Sequence, residues 1–378
     1  MTRRTLIAAA LAATIAGSPA LAAGAKQSSF GHMPDGRDVP AVTLTNGHGV
    51  SATVIALGAS LQALWMPDRA GRREDVQIGY DTIDGYLARP DFFGATVGRV
   101  ANRIAKGRFV LDGVTYTVPV NNGVNSLHGG NLGFDKMLWE VTEVKSGPVA
   151  SVTLRYVSPD GDMGYPGTLT AYATYSLDEQ NQLTIEYRAT TDRATVVNLS
   201  NHAYWNLAGA GSPRGAMGHV VTIPAARYTP TDATSIPTGS HAPVEGSVFD
   251  FRKPRAVGDG VRDARDPQIV YGRGYDHNWV IGDAVTPDQH LMARVVEPVS
   301  GRGFELWSNQ PGLQFYSGNF FDGTVIGKGG RIYRMGDAIV MEPQLFPDAP
   351  NQPDFPSVRL DPGQTYRNIM TYKLFTER

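Results

Sequence analysis

An all-β fold, one large domain of antiparallel strands closed as a sandwich or barrel, follows from three features of this 378-residue chain. Polar and apolar residues alternate with period two in many short runs, the spacing that turns one face of a strand to a core. No long stretch carries the 3.6-residue period of an amphipathic helix. Glycine (43) and proline (25) recur between the runs. Short strands separated by closely spaced turn signals pack as sandwiches or barrels.

The first segment stands apart from that pattern. MTRRTLIAAALAATIAGSPALA, residues 1–22, has Arg3 and Arg4, an apolar run and then Ala20-Leu21-Ala22, the parts of an export signal with cleavage after Ala22. The run is too short to span a bilayer, and no second one follows. Two adjacent arginines also fit a twin-arginine signal. The expectation is an exported, periplasmic protein. Residues 23–36 read as a flexible lead-in, and 37–378 as the single β domain.

Within the domain, GRFVLDGVTYTV places Asp112-Gly113 between two β-rich arms, a hairpin signal. SVTLRYV, LTAYATYSL and LTIEYRAT are strands, the last two joined by the polar turn Asp178-Glu179-Gln180-Asn181. HVVTIPAARYT, HNWVIG, LMARVVE, GFELWSN, LQFYSG, AIVMEP and MTYKLF carry the pattern to the C-terminus. SPDGDMGYPG (158–167) reads as a rigid surface connection between two strands. The chain shows no internal repeat.

Bulk chemistry excludes several function classes. Loss of Arg3 and Arg4 takes the formal charge from −2 to −4, which argues against nucleic acid or an anionic membrane as partner. Cysteine is absent, so disulfides, thiol catalysis and Cys-based metal sites are excluded. There is no HExxH and no His pair at ligand spacing on one face, so no metal or cofactor is expected. GTVIGKGG (323–330) misses a phosphate loop by one residue between its glycines and by Gly329 after the lysine. No G-x-S-x-G elbow supports a serine hydrolase.

Five segments break the strand rhythm with dense polar and aromatic residues: GRVANRI (98–104), NSLHGG (125–130), NLSNHAYWNL (198–207), GYDHNWV (274–280) and MEPQLFPDAPN (341–351). Each holds one group suited to proton transfer or to a hydroxyl-rich ligand: Arg103, His128, His202, Asp276 and Glu342. Alone, each also fits a structural role, a satisfied histidine or a turn carboxylate. In NLSNHAYWNL, read as one strand, Asn198, Ser200, His202, Tyr204 and Asn206 share a face. That mixture suits the floor of a sugar cleft, with Asn198 and Asn206 as structural amides. His277 falls on the strand face opposite Asp276 and reads as structural, as do the five histidines without supporting context.

In this order, the five segments resemble the aldose 1-epimerase (galactose mutarotase) family. SPDGDMGYPG, ARYTPTDATSIPTG (226–239), GSVFDFRKP (246–254), LQFYSGNF (313–320) and PDAPNQPDFP resemble family patterns as well, so the likeness runs from about residue 40 to the end. It implies a large antiparallel β-sandwich, the galactose mutarotase-like supersandwich, with the sugar in an open cleft. It implies Glu342 as general base, His202 as general acid and His128 as helper near the ring oxygen. Asn102, Arg103 and Asp276 would hold sugar hydroxyls. One departure is Pro343, where many members have Thr after this Glu.

Interconverting α and β anomers needs no cofactor, only a base for the O1 proton and an acid for ring oxygen O5 on different sides of one ring. A carboxylate and an imidazolium fit, with Asp276 expected to keep His202 protonated and Tyr204 or Trp205 expected against the apolar face of the sugar. The expected partner is a small-molecule aldose, with no nucleic acid and no membrane after signal cleavage. Two other classes compete. One is a glycoside hydrolase or lyase using Asp276 and Glu342 as a carboxylate pair, and the other is a non-catalytic carbohydrate-binding protein. A hexose-6-phosphate epimerase would need a basic cluster, for which Arg331 and Arg334 are the only weak candidates.

Overall fold

Backbone pairing follows the alternation of the sequence in this computed structural model, which describes residues 23–89 and 91–378. The export signal expected over residues 1–22 lies outside the described residues. Val149–Ser158, Leu169–Asp178 and Gln182–Thr191 are ten-residue strands paired antiparallel without a register shift. The middle strand buries every second residue, so Leu169, Ala171, Ala173, Tyr175 and Leu177 line the core while Thr and Tyr partners face outward. These strands belong to a nine-stranded antiparallel sheet that also contains Tyr366–Thr376, Arg302–Ser308 and His290–Val296.

A second sheet of six strands runs, in spatial order, Tyr204–Trp205, Ile339–Gln344, Gly312–Tyr316, Asp276–Val280, Arg227–Thr229 and Ala242–Pro243. Trp205 joins the two sheets. Its ring lies 4.6 Å from that of Phe304 and 4.7 Å from that of Tyr372, both on the nine-stranded sheet. A third, five-stranded sheet runs in chain order from Gly24–His32 to Arg73–Asp75. Residues of all three sheets, among them Val54, Ile185, Phe304, Phe315 and Met341, share one continuous apolar core. The architecture is the large antiparallel β-sandwich class expected from sequence.

The hairpin at Asp112-Gly113 forms as expected, with Leu111 paired to Val114 and both turn residues left-handed, at φ 52° and 76°. Two expectations change. Residues 24–32 are not a flexible lead-in: they form a strand that pairs with Asp38–Thr45 from Gly24 opposite Thr45. The run GAKQSSFGH buries few side chains, so it gave no apolar alternation, and backbone hydrogen bonds to the neighbouring strand hold it instead. Residues 198–207 are not one strand either. They form two two-residue bridges, Ser200–Asn201 to Thr96–Val97 and Tyr204–Trp205 to the strand of Glu342, separated by His202 and Ala203.

Candidate active site

Cross-strand register puts the site chemistry on one face of the six-stranded sheet. Glu342 stands opposite Gln314, and Gln314 opposite Asn278, while Asp276 stands opposite Tyr316. Residues directly opposite share a face. Their neighbours in sequence, Phe315, Met341 and Trp279, point the other way into the core. The polar face floors a cleft of about 250 Å³ lined by Asn102, Arg103, His128, His202, Tyr204, Asp276 and Glu342 among others. All seven candidate residues named from sequence therefore meet in one place.

Glu342 is 2% exposed, and its Oε1 lies 3.8 Å from His202 Nε2. Its second oxygen, Oε2, has no hydrogen-bond partner in the protein. Burial pushes the Glu342 carboxyl well above its ordinary value, with the Asp276 charge adding to the effect and Arg103 opposing it. His202 is fixed by its backbone: its N–H donates to the Ala95 carbonyl at 2.9 Å, and its carbonyl accepts from Gly94 N–H at 3.0 Å. Burial lowers the imidazole to about 4, against a weaker upward pull from Asp276. The expectation that Asp276 keeps His202 protonated is thus reversed in the free site. Desolvation outweighs the one carboxylate, which is itself engaged elsewhere.

That engagement is specific. Asp276 Oδ1 accepts from Gln314 Nε2 at 2.7 Å, and Oδ2 from the Arg103 guanidinium at 3.4 Å. Arg103 in turn donates to Asn122 Oδ1 at 3.1 Å. Asn102 and His128 form a reciprocal pair. The His128 backbone N–H donates to the Asn102 carbonyl at 2.9 Å, and the Asn102 N–H donates to His128 Nδ1 at 3.1 Å. Both residues are left-handed, at φ 61° and 51°, a strained conformation that persists where surrounding bonds impose it. Because Nδ1 accepts, the neutral His128 ring carries its proton on Nε2, and burial holds the ring neutral by pushing it well below its ordinary value.

Ligand-type atoms of His128, His202 and Glu342 lie within 4.8 Å of one another, so a metal must be considered. The donor set argues against it. A ligating imidazole normally donates its second N–H to a neighbour, whereas one nitrogen of His128 is already an acceptor and the other holds the proton.

Several neighbours were not singled out in the sequence. Gln314 and Asn122, which orient Asp276 and Arg103, sit in segments that read as plain strand or turn. Gln314 had one detectable signal, a lone amide within the otherwise apolar and aromatic run LQFY. Trp205 does not reach the cleft; it is fully buried in the core, leaving Tyr204, whose ring lies 4.9 Å from that of His202. Asn198 is a structural amide as expected, bonding the main chain of Leu345, and Asn206 Oδ1 accepts from Ala208 N–H at 3.1 Å; Ser200 bonds the Pro343 carbonyl beside Glu342. His277 faces away from the cleft and bonds Gln268 Oε1 at 3.1 Å. Arg331 and Arg334 line a different groove, so the cleft gains no phosphate-binding cluster from them.

Pro343 leaves the presentation of Glu342 intact. Its carbonyl accepts from Ser200 Oγ and Asn368 Nδ2, both at 2.9 Å. N–H and C=O of one strand residue point to the same side, so the missing donor faces Ser200 rather than the ladder with Leu313.

Comparison with known proteins agrees with this geometry. The aldose 1-epimerase family model matches residues 40–373. Galactose mutarotase of Rattus norvegicus is 44% identical over 344 residues, which span 91% of this chain and 96% of the relative. Aldose 1-epimerase of Escherichia coli K12 is 34% identical over 91% of this chain and 97% of its own. Among solved structures, galactose 1-epimerase of Lactobacillus acidophilus superposes with a TM-score of 0.82 at 27% identity, covering 94% of this chain and 99% of the other. Family model, curated relatives and fold agree over nearly the whole described chain, and this protein belongs to the aldose 1-epimerase family.

Proposed function

We propose that this enzyme interconverts the anomers of free hexoses such as glucose and galactose, with Glu342 and His202 as its acid–base pair. One observation carries the assignment of roles: a carboxylate and an imidazole, both buried, stand 3.8 Å apart on the walls of one cleft. Burial raises the first and lowers the second, so the empty cleft pushes the pair towards its uncharged form, with Glu342 protonated and His202 neutral. The reacting form is its tautomer, with Glu342 ionised and His202 charged. Both forms have the same net charge, so moving between them draws no proton from solvent. A sugar that directs O1–H at Glu342 and O5 at His202 favours the charge-separated form, whereas the Asp276 carboxylate favours a charged His202 and opposes ionisation of Glu342.

Glu342 then takes the O1 proton as the C1–O5 bond breaks, and His202 gives its proton to O5. The open aldehyde turns about C1–C2, and the ring closes on the other face with both protons returned. Neutral His128 offers its Nε2–H as a donor near the ring oxygen, while Arg103, Asn102 and Asp276 hold hydroxyls. Each proton transfer contributes roughly 10²- to 10⁴-fold. Among the described residues, no feature favours the hydrolase or the non-catalytic sugar-binding reading over this one.

The test follows the optical rotation of freshly dissolved α-D-glucose and α-D-galactose. Wild type should speed equilibration and Glu342→Gln should lose the effect by at least about 10²-fold. A wild type that leaves both spontaneous rates unchanged would remove the reading. Export, inferred from the first 22 residues, is part of the proposal, and N-terminal sequencing of the secreted protein should find Ala23 first.

A further inference from the structure

Phe92 has no place in the chemistry so far, yet its ring touches both imidazoles. Its centroid lies 4.8 Å from that of His128 and 5.8 Å from that of His202, whose own centroids are 5.2 Å apart. The residue is left-handed, at φ 58°, which is an outlier for a bulky side chain. Its surroundings impose that conformation. Phe93 is anchored in a buried aromatic cluster with Tyr80, Tyr204 and Phe321. Gly94 is bonded to the His202 backbone, and Ala95 N–H donates to the Phe92 carbonyl at 3.1 Å. With the next residue pointed inward and the chain pinned to His202, the left-handed turn aims the Phe92 ring at the catalytic cleft.

Phe92 also lines a second cavity of about 210 Å³ on its other side, together with Leu57, Leu87, Tyr86 and Lys136. The Lys136 ammonium lies 5.4 Å from the ring centroid. The side chain is therefore a partition, with two imidazoles on one side and a second cavity carrying a cation on the other.

We propose that Phe92 is a positioning and specificity-determining residue of this site. Its ring holds the imidazoles of His128 and His202 in place, excludes water entering through the adjoining cavity, and is the apolar wall for the C–H face of the pyranose. The role rests on the acid–base reading above. It adds another aromatic ring to the cleft beside Tyr204, whereas Trp205 is in the core.

Water exclusion has a signature that a structural role lacks. The pair of Glu342 and His202 is active with one proton. It stops when it gains a second on the acid side, or loses the first on the basic side. Both inactive forms carry net charge, so a dry site disfavours both and widens the active window. Around the pair stand Asp276 with Arg103, Asp91 paired with Arg89 at 3.1 Å, Asp322 at the cleft wall, Lys136 paired with Asp135 at 2.9 Å, and the imidazole of His128.

The experiment compares wild type with Phe92→Gly, Phe92→Leu and Leu87→Ala, measuring KM, kcat, the pH–rate bell and thermal melting. Glycine adopts the same backbone conformation without steric cost, so Phe92→Gly removes the ring and relieves the strain together. KM for the sugar should rise roughly tenfold in that variant, as for one lost aromatic contact. Its bell should narrow from both sides by about half a pH unit or more. Phe92→Leu should recover part of both, and Leu87→Ala, which lines only the second cavity, should match wild type. A folded Phe92→Gly with wild-type KM and bell overturns the proposal, as does a loss of kcat alone. Should Phe92→Gly not fold, Phe92→Leu decides by the same two readouts. A wild type without mutarotation would instead overturn the acid–base reading.

Discussion

At Glu342 and His202 a single cause, removal from water, moves two partners in opposite directions, and each is pushed towards its uncharged form. The rate should therefore follow a bell in pH whose limbs belong to the pair rather than to either residue, which initial rates in buffers of constant ionic strength will show. Asp276→Asn should lower kcat/KM by about 10²-fold and alter both parameters, because Arg103 and Gln314 lose the carboxylate that orients them and His202 loses an upward pull. All seven candidate residues that line the cleft were named from the sequence, by residue type, strand alternation or the family resemblance. Their protonation was not. Asp276 looked sufficient to charge His202 because sequence reports which charges are present, but not how far each group is removed from water.

The turn after His128 shows what an element can demand of one residue. Gly129 is left-handed, at φ 91°, and a Cβ there would lie 1.9 Å from the Gly98 carbonyl oxygen. Gly129→Ala should destabilise the fold by roughly 3 kcal/mol, read by chemical denaturation, and should weaken activity by shifting His128. Pro343→Thr is expected to leave kcat/KM near wild type, since the donor it restores faces Ser200 and not the strand ladder. Sequence showed the glycine pair and the proline, but not what lay opposite them. The segment 198–207 is the plainest case. Its alternation suggested one continuous cleft floor, whereas Asn198 and Ser200 turn inward to hold the main chain at Leu345 and Pro343, and only His202 and Tyr204 of this segment line the cleft.

Across the whole molecule, burial of histidine couples stability to pH. His219, far from the cleft chemistry, accepts from Leu207 N–H at 2.8 Å and is lowered by burial from 6.5 to about 4. A group depressed in the folded state stabilises it above the unfolded value, and that contribution is lost as pH falls from about 6.5 towards 4. His219→Gln, which keeps an acceptor but does not titrate, should lose less of its melting temperature than wild type over that window, by calorimetry at matched ionic strength.

The sequence by itself determined the β class, most of the longer strands and the candidate residues that line the cleft, because alternation and turn chemistry are local and the motifs, with the family they resemble, carry the candidates. Only the tertiary structure decided that residues 24–32 are a strand, that Trp205 belongs to the core, that Gln314 and Asn122 bond Asp276 and Arg103, and which way burial pushes Glu342 and His202. Each of these depends on what lies across a sheet or behind a side chain. Register and desolvation are set by partners distant in sequence, and no local pattern encodes them.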